Sequence, residues 1–169
     1  MEISIREAKL EDGEELAKLV VQFRDEHSRL LNGNCTAELQ DVLQEVRSNL
    51  QKESSGYFVA EPSKNQLIGY RSWEYRDGYY FTKELFVRPD YRKEGVAREL
   101  IRTMEEWLLE QGQHSACISC VPQNLAMIQL ARSEGYKIFN RIEMRKNLSE
   151  KPPEPGGKRE ALGYRWEVF

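Results

Sequence analysis

The sequence predicts an α/β or α+β domain, one mixed β-sheet of about seven strands flanked by four helices. Three observations carry that expectation. Apolar residues recur at three- and four-residue steps in four separate stretches, and alternating runs bounded by Gly, Pro, Asn and Asp lie between them. The resulting order is strand, two helices, three strands, helix, strand, helix, two strands. Finally, the helix between residues 79–87 and 115–121 makes a crossover, which sets those two strands parallel and adjacent. With 169 residues, 40% of them hydrophobic, the chain buries a core without disulfides or metal, so one domain over residues 1–169 is expected.

Residues 3–8 read as the first strand. Asp12, with Glu15 three residues on, resembles a capping box that opens a helix whose buried stripe is Leu16, Leu19, Val20 and Phe23. A polar connection over residues 24–34 follows, and Thr36 caps a second helix with core positions Leu39, Val42, Leu43, Val46 and Leu50. Residues 57–61 and 67–75 are strands around a Pro62–Asn65 turn, and Asp77-Gly78 joins the second to residues 79–87 as a tight hairpin. After Gly95, the spacing of Ala97, Leu100, Ile101, Met104, Trp107 and Leu108 predicts a third helix that Gly112 ends. Residues 115–121 form a further strand, Asn124 caps a short helix that Gly135 terminates, and residues 136–148 return as a strand. Three prolines and two glycines make residues 151–158 a loop. The last strand, 162–169, carries Tyr164, Trp166, Val168 and Phe169, and such an uncovered edge predicts pairing with a second copy as a homodimer.

The formal net charge of −3 argues against wholesale binding of nucleic acid or an anionic membrane surface, and no apolar run approaches membrane-spanning length. Met1–Arg6 lacks the basic segment and apolar core of a secretory signal, so a cytoplasmic location is expected. Cys35, Cys117 and Cys120 are an odd set suited to a reducing compartment. On a strand, Cys117 and Cys120 point to opposite faces, and neither His27 nor His114 has ligand spacing, so no metal site is expected.

The chemistry concentrates in the run from Glu84 to Ala97, where a strand leads through Arg92-Lys93-Glu94 to Gly95 at the mouth of a helix. The first N–H groups of a helix have no intrahelical partner, and its dipole makes that end positive. Gly95 lets backbone approach an anion, and Arg92 and Lys93 add charge, so the stretch reads as a diphosphate site.

Two separated motifs resemble the GNAT superfamily of N-acetyltransferases. The first is the Arg/Gln-x-x-Gly-x-Gly/Ala signature, met by Arg92, Gly95 and Ala97 after the Leu85, Val87, Pro89 strand ending. The second is Asn124, then Met127 and Leu130 on a helix, then Gly135-Tyr136. The resemblance implies acetyl-CoA as cosubstrate and an amine of a small molecule or peptide as acceptor. Backbone of Leu85, Phe86 and Val87 would flank the pantetheine arm, with Asn124 on the same arm. The loop Arg92, Lys93, Glu94, Gly95, Val96, Ala97 would hold the diphosphate. Glu94 departs from the small or basic residue usual before the signature glycine.

Attack on a thioester needs a neutral amine, hence a base, and Glu84 is the candidate, on a face shared with Thr82 and Phe86. An alternative role for Glu84 is an ion pair, with Arg71 among its possible partners. A backbone N–H near Phe86 or Val87 is the expected oxyanion donor. The family's tyrosine acid is replaced by Ala131; Tyr136, Tyr164 and Cys120 are the substitutes in reach, and the acid is unassigned. Residues 24–34 and the aromatics Trp73, Tyr75, Tyr79 and Tyr80 are the expected acceptor walls. Ala131 and Glu94 also support a second reading, a catalytically silent acyl-CoA-binding sensor or scaffold.

Overall fold

A computed structural model describes residues 3–31, 33, 37–62, 66–76, 78–138, 157–161 and 164–168. The strands are β1 (Ser4–Glu7), β2 (Ser55–Glu61), β3 (Gly69–Arg76), β4 (Tyr79–Val87), β5 (Gly157–Ala161) and β6 (Tyr164–Val168). Four α-helices are described: α1 (Gly13–Leu30), α2 (Leu39–Leu50), α3 (Val96–Glu110) and α4 (Leu125–Ser133). Strands β1 to β4 form an antiparallel sheet in sequence order, and β5 pairs with β6 in a separate two-stranded sheet.

Strict alternation in β2 explains the two layers of core. Tyr57 and Val59 pack with Leu16, Val20, Val42 and Val46 of α1 and α2, whereas Phe58 and Ala60 pack with Leu100, Met104 and Leu108 of α3. The apolar stripes read from sequence are the ones buried, and Leu100, Ile101 and Met104 have no exposed surface.

Several expectations are corrected. The described sheet has four strands rather than about seven. Residues 115–121 do not form a full strand: they meet β4 at one parallel bridge, Thr82 to Ile118, where the Thr82 hydroxyl donates to the Cys117 carbonyl. Cys117, Ser119 and Cys120 are exposed, so this small, polar segment has little apolar surface to hold it flat against β4. The predicted strand over residues 136–148 is irregular at 136–138, and its remainder lies outside the described residues, as do Thr36, Asp77 and residues 63–65. Gly157 and Lys158, expected in a loop, begin β5, which covers one edge of β6.

The supposed polar connection 24–34 is helical as far as Leu30. No Gly or Pro interrupts it before Gly33, Phe23 stacks on His27 with ring centroids 5.5 Å apart, and Arg24 Nη2 donates to Glu45 Oε1 of α2 at 2.7 Å. Asp12 precedes α1 but makes no side-chain cap there. Its carboxylate instead accepts from both Arg6 amino nitrogens at 2.7 and 2.8 Å and from the Lys9 N–H at 2.7 Å. A bidentate guanidinium is a stronger partner than a helix N–H, so the ion pair takes the group.

Leu100→Ala should cost roughly 2–5 kcal/mol in urea unfolding, because it opens a void between α3 and the sheet. Leu109→Ala, at a position 64% exposed on the same helix, should stay within about 0.5 kcal/mol.

Candidate active site

A break in the β3–β4 register organises the site. Pairing runs Gly69 to Val87, Tyr70 to Phe86 and Arg71 to Leu85, then shifts so that Trp73 faces Thr82. Lys83 and Glu84 together therefore oppose Ser72, a bulge of one extra residue in β4. The Glu84 N–H donates to the Ser72 hydroxyl at 3.0 Å, which satisfies the amide at the irregularity.

The bulge exchanges the faces of β4. Tyr80 and Phe86 are six residues apart and would share a face on an unbroken strand. Instead Tyr80 packs on Trp107 of α3, with ring centroids 4.9 Å apart, while Phe86 lies against Tyr70 and Phe23 on the α1 side. Glu84 follows Phe86, and the Tyr70 hydroxyl donates to its Oε2 at 2.9 Å. The supposed pairing with Arg71 is thereby corrected: Tyr70 and Arg71 are consecutive in β3 and point to opposite faces. The acceptor wall is corrected too. Trp73 and Tyr80 pack around Trp107 away from Glu84, and Tyr75 and Tyr79 are exposed at the hairpin.

Burial pushes the Glu84 carboxyl above the usual carboxylate range, partly offset by the Tyr70 hydrogen bond and by Arg24. Burial likewise pushes the Tyr70 phenol well up, so it remains a donor. A carboxylate of raised basicity, held in one rotamer by a buried phenol, suits a general base.

Beyond Glu84, the gap between β4 and residues 118–121 opens as a cleft lined by Arg71, Thr82, Glu84, Cys120, Asn124 and Met127. Asn124 also caps α4, with its Oδ1 accepting from the Met127 N–H at 3.0 Å. The phase of the β3–β4 ladder is set by the Arg88 N–H, which donates to Ile68 O at 2.8 Å. By alternation, the Phe86 N–H is taken up by β3, while the Leu85 and Val87 N–H groups point off the opposite edge of β4. Of the two donors named from sequence, Val87 has the open orientation and Phe86 does not.

The loop after β4 has the geometry of an anion cradle. Lys93, at φ 68°, and Gly95, at φ 87°, both adopt the left-handed conformation, and α3 starts at the next residue. For lysine that conformation costs roughly 1–2 kcal/mol, which marks a constrained loop. No side chain caps α3, so its first amides are open to a ligand. Val96, 2% exposed, anchors the turn in the core, Ala97 is half-buried, and Glu94 is exposed. The Arg92 guanidinium is directed elsewhere. Its Nε donates to Val87 O at 2.8 Å and its Nη2 to Glu26 Oε2 of α1 at 2.7 Å, tying the loop to β4 and α1.

Tyr70 is the site residue that the sequence did not single out, while Phe23, read from sequence as core, and His27, within the expected 24–34 wall, line the cleft. A tyrosine among alternating apolar residues looks like core, and only the bulge brings its hydroxyl to Glu84. Ala131 is buried, and the Tyr136 hydroxyl donates to Glu105 Oε1 at 2.5 Å rather than standing free. Among the described residues, no group of three His, Cys, Asp or Glu is placed to hold a metal, and no helix is long and apolar enough to cross a membrane.

A bulged strand beside a cleft, with a glycine-led helix at the strand's end, is the arrangement that the acetyltransferase resemblance implies. The chain belongs to the acetyltransferase (GNAT) family, whose model matches residues 20–136. It is 26% identical over 139 residues to the uncharacterized N-acetyltransferase YuaI of Bacillus subtilis (strain 168), covering 75% of this chain and 76% of that one. The fold is that of the aminoglycoside N-acetyltransferase AAC(6')-Iy, solved with the bisubstrate analog CoA-S-monomethyl-acetylneamine, at TM-score 0.70 and 20% identity, covering 88% of this chain and 100% of the other. It is also that of the ribosomal-protein-alanine N-acetyltransferase from Brucella melitensis biovar Abortus 2308, at TM-score 0.66 and 14% identity, covering 86% and 100%.

A raised Glu84 pKa carries a stability consequence. The native carboxyl holds its proton to higher pH than the unfolded one, so its contribution is fully present below the unfolded value and is lost as pH rises through the folded value. Glu84→Gln should therefore unfold at a higher temperature than wild type at pH 8, and the difference should vanish below pH ~4, when both forms are neutral.

Proposed function

We propose that the protein moves an acetyl group from acetyl-CoA to the primary amine of a small-molecule or peptide acceptor by direct attack on the thioester, with Glu84 as general base. One observation carries this reading. A half-buried carboxylate of raised basicity, fixed by Tyr70, stands at a β-bulge beside a cleft whose edge presents open backbone N–H groups.

The residues present fit the cosubstrate. Lys93, Gly95 and the first amides of α3 would receive the diphosphate, and the exposed carboxylate of Glu94 has solvent to turn into. The Leu85 and Val87 backbone and Asn124 would bind the pantetheine amides. When bound, acetyl-CoA supplies the acetyl group as an activated thioester. Glu84 takes the proton of the acceptor ammonium, and the Val87 N–H donates to the carbonyl oxygen as it gains charge. Phe23 and His27 wall the acceptor side, and the negative charge there is that of Glu84, since Glu45 is paired with Arg24; ring and carboxylate suit a cationic amine. An odd number of cysteines in the sequence suits the reducing cytoplasm.

The silent-module reading keeps one supporting observation, the buried Ala131 where a tyrosine acid is usual in the resembling family. A leaving thiol of pKa ~8.5 departs without an acid, so turnover does not need that tyrosine.

Acetyl-CoA at about 100 times its Kd should stabilise the wild-type fold by ~2.7 kcal/mol, read as a thermal shift. Gly95→Trp, which fills the cradle, should abolish that shift. With an amine panel, Glu84→Gln should keep the shift but lose roughly 10²–10⁴-fold in kcat, with recovery at high pH where the free amine is already neutral. A shift with no turnover for any amine would favour the silent module.

A further inference from the structure

Among the described residues, Arg71 is the one buried cation, and the mechanism leaves it unused. It is 2% exposed, stands at the middle of the sheet on β3, and its Nη1 is buried with no hydrogen-bond partner. Desolvation pulls its pKa down, countered by the Tyr136 hydroxyl and by Glu105 of α3, yet a guanidinium keeps its proton throughout the range in which proteins work. A buried charge with an unsatisfied donor is costly unless a ligand completes it. Arg71 lines the same cleft as Glu84 but projects from the opposite face of the sheet. The charged or titratable groups around it are Tyr136, Glu105, Glu84, Lys83 and Cys120.

We propose that Arg71 is a catalytic residue whose buried guanidinium receives the departing sulfur of coenzyme A, replacing an acid by a fixed positive charge. The inference rests on the N-acetyltransferase reading and extends it. An amine deprotonated by Glu84 approaches from the α1 side, and the carbon–nitrogen bond forms there. The carbon–sulfur bond breaks, and its electron pair leaves on sulfur toward the α3 side, where Arg71 stands. The proton first taken from the ammonium stays on Glu84 until solvent removes it; the nitrogen, positively charged after attack, sheds its second proton to water, and the thiolate is held as an ion pair until a proton returns to it from that water, giving amide and thiol. No proton donor is required at Ala131, because the charge is stabilised rather than neutralised.

The test uses coenzyme A and desulfo-coenzyme A, which lacks the thiol, with affinities measured by calorimetry from pH 6.5 to pH 9.5. A cation in contact with sulfur favours the thiolate and lowers the bound thiol's pKa. In wild type the affinity ratio of coenzyme A to desulfo-coenzyme A should therefore rise roughly tenfold across that range. Arg71→Met should flatten the ratio, and Arg71→Lys should keep part of the rise. A flat ratio in wild type overturns the proposal, whether Arg71 then serves an acceptor carboxylate or only the fold. Binding of neither ligand overturns the acetyltransferase reading itself, which keeps the two failures apart. Should Arg71→Met not fold, the wild-type profile with Arg71→Lys still decides.

Discussion

The site depends on the one-residue bulge at Lys83–Glu84. Backbone pairing on either side of it is regular, so β4 belongs to the sheet at both ends, yet its side chains exchange faces in the middle. That exchange lets Tyr80 complete the aromatic cluster on Trp107 while Phe86 and Glu84 turn toward α1. Without it, Glu84 would lie on the face that Trp73, Tyr80 and Trp107 fill, with no room for a carboxylate and no phenol to hold it. Ser72 matters for the same reason, since its hydroxyl takes the amide that the ladder cannot.

From the bulge outward, the sheet separates two kinds of charge. Glu84, Glu45 and Arg24 lie toward α1 and α2, and Arg71, Glu105 and Tyr136 lie toward α3. The cleft joins the two sides because residues 118–121 touch β4 only at the Thr82–Ile118 bridge before diverging. Both charges oppose stability, as desolvation raises the pKa of the half-buried Glu84 and lowers that of the buried Arg71. A fold selected for stability alone would place apolar residues at both positions. The aliphatic layers around Val59, Leu100 and Met104 supply the offsetting burial.

The third constraint is the end of β4. Arg92 bonds both the Val87 carbonyl and Glu26, which ties the loop to the strand end and to α1. A signature arginine that looks like a phosphate ligand in sequence is here a brace for the loop that carries Lys93 and Gly95. The anion cradle itself is made of backbone, in the two left-handed residues and the uncapped start of α3.

Much of this was legible in the chain. The apolar stripes of α1, α2 and α3, the Gly95 start, the Asn124 cap and the strand 79–87 follow from local periodicity and local backbone preference, which the residues carry themselves. Glu84, the proposed base, was singled out from sequence as a carboxylate on that strand. Tyr70 was not, nor was the separation of Arg71 from Glu84, because alternation read along β4 has no means of seeing an extra residue opposite Ser72. The extension of α1 to Leu30 was hidden by polar residues that gain their partners from α2 and the loop, through Glu45 and Arg92. The length of the sheet beside β4 was misread because residues 115–121 alternate like a strand but have too little apolar surface to stay against one. Local sequence thus determined most of the helices and strands and the glycine-led turn before α3, where the diphosphate is proposed to sit. Only the tertiary pairing decided which side chains share a face, because a register shift is a property of two strands and is written in neither alone.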